Sequence, residues 1–279
     1  MKKIIMINYK RAGIRLLSLL VLLVVCACEE VVNVDLNTGE AKLVIDAEIL
    51  WIKGTEGNEQ TIKISRMADY YNPTPPKVSG AQVYIEDSEG NLFMFNEGDE
   101  PGTYKCINFI PQLNGSYTLT VTVEGETFKA TETLMPVPEI NRVEQRLIND
   151  FFEDEYEISM FFDDPEDEVN FYLTDFVTDV LIYPDFELSD DEYKEGQEIK
   201  NDFSDEKLEV GTVVEITFRG ISEQFYNYMN LILESNSSNP FSTPPANIRG
   251  NLVNQTTSGS YALGYFRLCE ANYRSYTIE

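Results

Sequence analysis

Forty-eight aspartates and glutamates and not one histidine set the chemistry open to this 279-residue chain. Without imidazole there is no Ser-His-Asp or Cys-His nucleophile arrangement, no His-containing zinc site and no ordinary proton shuttle at neutral pH. Carboxylates alone can hydrolyse a glycoside, since that reaction needs two positioned acids. In a chain this acidic such pairs arise by chance, so none is singled out. The densest acidic run, Asp163, Asp164, Glu166, Asp167 and Glu168, offers hard oxygen ligands for calcium, but it lacks the EF-hand spacing and Pro165 constrains it. A solvated turn is the simpler reading. Trp51, Tyr70 and Tyr71 are placed in two loops that, at one end of a sandwich, would either make a binding platform or cover the open end of the core. The chain has no phosphate-cradling glycine loop, Cys-pair metal motif or nucleophile elbow. No catalytic residue, metal or cofactor is expected, and the protein is read as a non-enzyme.

Covalent chemistry has one strong candidate, Cys28. Lys2, Lys3, Lys10, Arg11 and Arg15 precede an apolar run from Leu16 to Val25, the charged and hydrophobic parts of a bacterial export signal. The run is too short to span a bilayer, which takes roughly 20 apolar residues. Val25, Cys26, Ala27, Cys28 then resembles the bacterial lipobox, in which a small residue precedes a cysteine whose sulfur receives a diacylglycerol and whose freed amine is acylated. Cys26 follows the branched Val25 and Cys28 follows the small Ala27, so Cys28 is the expected lipidation site, with residues 1–27 as signal peptide and 28–40 as lipidated tether. More than one acyl chain, of the palmitate kind, at ~0.8 kcal/mol per buried methylene makes such an anchor stable. Glu29 and Glu30 resemble the tag that sends such lipoproteins to the cell surface; a solvated linker facing the periplasm is the alternative.

The formal net charge of −27 becomes more negative once the basic leader is removed. So acidic a body repels phosphate backbones, which excludes nucleic acid as a partner and leaves the lipid as the membrane contact. With 43% hydrophobic and 12% aromatic residues, the chain has ample material for a core. Cys106 and Cys269 lie in different expected domains of a protein exported to a disulfide-permissive compartment. Two separate buried thiols are preferred to a bridge.

The elements that must position these residues are mostly strands. Between Ala41 and Thr133, seven short alternating runs are punctuated by turn residues such as Ser88–Asn91 and Glu124–Gly125, which predicts an immunoglobulin-like β-sandwich over 41–135. Pro136 and Pro138 mark the boundary. A second β-rich domain, 136–279, is expected to hold strands at Val143–Ile148, Tyr156–Phe162 and Thr212–Phe218, a long acidic loop over Pro184–Asp205, and one helix capped by Ser222. That helix has Phe225, Met229, Ile232 and Leu233 on its packed face, with Tyr228 beside them. The closing strand, Tyr261–Leu268, is expected in the second domain's sheet. The fold class is therefore mainly β, a sandwich followed by a β-rich domain with one α-helix.

Several stretches in order resemble one family, the Bacteroidota lipoproteins known as domain of unknown function 4249 (DUF4249). They are Cys28-Glu29-Glu30, Lys42 to Ala47, Val78 to Val83, Gly115 to Leu119, Pro245 to Asn251 and Ala262 to Phe266. The resemblance implies an outer-membrane lipoprotein whose genes neighbour those of TonB-dependent transporters, and it supplies no catalytic residues. The expectation is a non-enzymatic binding or accessory component of a TonB-dependent nutrient uptake system. A carboxylate-dependent glycan hydrolase and a structural or adhesive surface module are the alternatives.

Overall fold

In a computed structural model, residues 41–68, 74–149, 154–166, 168–191, 196–236 and 248–279 are described. The lipidation candidate Cys28 and the tyrosines Tyr70 and Tyr71 lie outside them.

The first lobe follows from period-two alternation. In β1 (Leu43–Ile52), Ile45, Ala47 and Ile49 are fully buried while Asp46 is exposed. β1 pairs antiparallel with β2 (Gln60–Arg66), and β2 with β5 (Thr103–Cys106). The facing layer is β3 (Gln82–Asp87), β4 (Leu92–Glu97), β6 (Ser116–Val123) and β7 (Glu126–Thr133). β4 also pairs with β5, so the ladder runs without a break from one layer into the other. Between the layers Ile45, Ile62, Tyr104, Val83, Leu119 and Phe128 form the core. The Tyr117 hydroxyl donates to the Ile110 carbonyl at 2.9 Å and accepts from the Gln112 amide at 2.8 Å, a tyrosine-corner arrangement of immunoglobulin-like sandwiches. All seven expected strands are present.

The second lobe also has two layers. β8 (Ile140–Asn149), β9 (Asp154–Asp163) and β12 (Glu198–Ser204) make a three-stranded sheet. Against it lie β10 (Phe171–Val177), β11 (Asp185–Asp190) and β13 (Val213–Ile221). Aromatic side chains fill the gap, with Phe162 and Phe218 ring centroids 4.4 Å apart and Phe176 stacked on Phe203 at 5.3 Å.

Two expectations are corrected here. Pro184–Asp205 is not one long loop, because it contributes β11 and β12. Its charged residues alternate with inward-facing ones: Ile199, Asn201 and Phe203 are buried while Glu198 and Lys200 are exposed. The other correction concerns the closing strand, β15 (Leu263–Thr277), which does not belong to the second lobe alone. Its first part runs parallel to β1, from Val44 opposite Leu263 to Ile52 opposite Ala271; its last part pairs antiparallel with β13. Residues 41–135 and 136–279 therefore share a strand, and Glu40–Glu279 forms one compact unit.

The helix α1 (Glu223–Asn236) begins as expected, with the Phe225 amide donating to the Ser222 hydroxyl at 3.2 Å, the N-cap bond. Phe225, Tyr228 and Met229 pack on Leu173, Ile221, Tyr265 and Cys269, so the aromatic stripe is core. Cys106 and Cys269 are both buried and free, as two separate thiols.

Candidate functional site

The starts of β1 and β15 lie side by side, and two glycines let their surroundings close up. A Cβ on Gly264 (φ +94°) would sit 2.0 Å from the Ile45 carbonyl oxygen, and one on Gly250 would sit 1.8 Å from the Gly264 oxygen. No other residue fits either place. Next to them the Asn251 amide receives the Phe266 N–H at 2.9 Å and donates to its carbonyl at 2.8 Å. The side chain thereby completes the ladder at a point β13 does not reach, satisfying groups that would otherwise be orphaned. A two-residue strand, β14 (Val253–Asn254), then joins the edge of β7.

These clamps hold Tyr261 between two cations. The Lys42 Nζ lies 3.9 Å and the Arg249 guanidinium carbon 4.1 Å from the centroid of its ring, both within cation–π range. Two adjoining hollows share this ring with Thr257 and Ser260. One, of about 460 Å³, is bordered by Ala41, Lys42, Arg66, Glu124 and Glu126; the other, of about 370 Å³, by Arg249 and Asn254. Arg66 is committed, donating to the Ala41 carbonyl at 2.9 Å and ion-paired with Glu124. Glu126 accepts from Asn254 at 3.1 Å and from Ser260 at 3.4 Å. Lys42 and Arg249 enter no ion pair among the described residues.

A third hollow, about 530 Å³, lies where the lobes meet, between β7, Phe171 and the start of α1. Glu132 is on its wall, 8% exposed, and accepts from the Thr133 amide and the Ser222 hydroxyl, each at 3.0 Å, and from the Tyr265 hydroxyl at 3.5 Å. Burial pushes the Glu132 carboxyl above its ordinary range, only partly offset by those hydrogen bonds. Burial, then the neighbouring Glu132, raises the Tyr265 phenol too.

Of the residues expected in a binding platform, Trp51 is in β1 rather than a loop. Its indole N–H donates to the Thr55 carbonyl at 2.9 Å, and the ring covers Gly57, where an added Cβ would be 2.6 Å from it. Both flanks of the segment carrying Tyr70 and Tyr71 are at the opposite end of β1: the Met67 amide donates to the Lys42 carbonyl and the Arg66 amide to that of Pro76. Leu43 to Trp51 spans about 26 Å of strand; Tyr70 and Tyr71 themselves lie outside the described residues. In the acidic run, Asp164 is buried and accepts from the Tyr172 hydroxyl at 2.7 Å. Among the described residues no group of three or more His, Cys, Asp or Glu side chains comes together to hold a metal. Lys42, Arg249 and Tyr261 were not marked out by sequence as a site; the available signal was two cations within the resemblance stretches of an acidic chain.

Strand pairing and layering define the class, a mainly β protein with an immunoglobulin-like sandwich and a single helix among the described residues. Within that class, the chain belongs to the family described as Domain of unknown function (DUF4249), whose profile matches residues 29–274. No curated protein matches the sequence. Similar solved structures include a two-fibronectin type III domain segment from chicken tenascin, with 11% identity over 58% of this chain and 85% of that one at a TM-score of 0.21. A cytokine receptor complex is similar at 10% identity, over 84% and 95% of the two chains at a TM-score of 0.24. A DUF4785 family protein from Legionella pneumophila is 10% identical, over 64% of this chain and 50% of that one at a TM-score of 0.24.

Proposed function

We propose that this chain is a Bacteroidota outer-membrane lipoprotein, anchored through Cys28 and serving as a non-enzymatic binding or accessory component of a TonB-dependent uptake system. The observation that carries the reading is the position of the polar cleft: Ala41 and Lys42, the first described residues after the tether, border it. A tether of the length of residues 28–40 reaches at most about 45 Å, so an anchor at Cys28 keeps that cleft near the bilayer and within reach of a membrane-embedded partner. Among the described residues no helix is long and apolar enough to cross a membrane, and the lipid is assigned the anchoring role. The cell-surface side is preferred on Glu29 and Glu30.

The glycan-hydrolase reading has its best acid in Glu132, but three internal donors already engage that carboxylate. An acid so held is poorly placed to reach a glycosidic oxygen. An adhesive module would bind a cell or matrix polymer with no transporter present. Purification from native outer membranes in mild detergent, followed by mass spectrometry, tests the proposal. A β-barrel transporter should accompany the protein; a lone monomer would count against it.

A further inference from the structure

We propose that the Lys42–Tyr261–Arg249 clamp is a binding site for a phosphate group, an inference that rests on the binding-protein reading and names its ligand class. Lys42 and Arg249 lie 3.9 Å and 4.1 Å from one ring centroid, so their charges are at most about 8 Å apart. At an effective dielectric of ~20 two like charges at that separation repel by about 2 kcal/mol. A chain with 48 acidic and 21 basic residues has carboxylates to spare for relieving this. Arg66, Arg219 and Arg267 each have one or more, yet among the described residues none is ion-paired with Lys42 or Arg249.

The ring attracts both cations without accepting their N–H bonds. Three ammonium donors and the five-donor guanidinium fork are thus left facing the two hollows, a set that suits phosphate oxygens. The hydroxyls of Thr257 and Ser260 border the same space. Across both hollows the cations Lys42, Arg66 and Arg249 outnumber the carboxylates Glu124 and Glu126, the reverse of the chain as a whole. The site is also built rather than incidental. Asn251 and Gly250 fix the backbone beside Arg249, and the Met67 amide fixes that of Lys42, which lowers the ordering cost of binding.

The phosphate can belong to a lipid headgroup or be free. Full-length protein in neutral detergent micelles would be titrated with inorganic phosphate and with glycerol 3-phosphate, by calorimetry and ³¹P line broadening. Saturable binding of at least one is expected. A glycerol 3-phosphate affinity about tenfold the higher points to a headgroup, and equal affinities point to free phosphate. The Lys42→Ala/Arg249→Ala protein should bind at least about tenfold more weakly, with its circular dichroism melt reporting that it is folded. Tyr261→Phe keeps the ring and should bind as wild type does, whereas Tyr261→Leu should not. Absence of saturation by either probe overturns the site, as does an equal loss in Lys63→Ala, which removes an exposed lysine elsewhere on the first lobe. Failure of the transporter to co-purify would remove the uptake reading while leaving these titrations to stand or fall alone.

Discussion

Arg249 and Arg267 are each near an aromatic ring beside the same strand, but they are answered differently. Arg267, in β15, lies 5.4 Å from the Phe225 ring and is matched by Asp46 at 2.9 Å and Glu48 at 3.3 Å. Glu48 also meets Arg219 of β13 at 3.2 Å, and Arg219 pairs with Asp175 of β10. The network crosses β10, β13, β15 and β1, and so joins the two lobes. Burial alone would raise the Glu48 carboxyl; Arg267 and Arg219 outweigh it and hold the group below its usual range. Arg249 has the ring but, among the described residues, no carboxylate. Cations matched inside the molecule act on its stability, and cations left unmatched at its surface are available to a ligand.

Breaking the matched region should have the largest effect. Arg219→Ala leaves Asp175 without its ion-pair partner and Glu48 with Arg267 alone, and should cost about 3–5 kcal/mol, read by urea denaturation. At the unmatched end, Arg249→Ala should change stability by less than about 0.5 kcal/mol. It should weaken phosphate binding several-fold in the same titration used for the double variant.

The junction holds a sharper contrast in two carboxylates, the half-buried Glu48 and the buried Glu132. Glu48 has a depressed folded-state pKa, so its stabilisation is present above the unfolded value and lost as pH falls through the folded one. Glu132 has a raised one and, among the described residues, no cation partner, so its contribution is full below the unfolded value and lost as pH rises through the folded one. Glu132→Gln should therefore be more stable than wild type at about pH 8, the two converging near about pH 4. Glu48→Gln should be less stable at neutral pH and approach wild type in acid. Thermal melts across this range check both signs. Trp51→Phe removes one partly exposed hydrogen bond; it should cost at most about 1 kcal/mol and leave phosphate binding unchanged.

The first lobe was legible because each strand buries one face, so apolar residues recur at every second position, and because Asp87–Asn91 and Glu124–Gly125 make tight turns. β11 and β12 were hidden by charge: Asp185, Glu187 and Glu198 are acidic, yet they occupy the outer positions of strands whose inner positions are Phe186, Leu188 and Ile199. Tyr261–Leu268 is expected in the second lobe's sheet, but that part of β15 runs along β1 and the strand reaches β13 only further on. Phe266 and Leu268 face the first core while Tyr265 and Cys269 face α1, which erases alternation, and a parallel partner at the far end of the chain leaves no local turn to announce it. The clamp escaped notice for a related reason, since Lys42, Arg249 and Tyr261 meet only through that pairing. Trp51 is expected in a loop, yet its run continues the alternation of β1 to Ile52.

The proposed function depends on a lipid at Cys28, so that anchor is the point to test. Cells expressing the protein would be fed a clickable palmitate analogue, and the purified wild type compared with Cys28→Ala. Label on the wild type and none on the variant is the predicted result; an unlabelled wild type, or equal label on both, would contradict it.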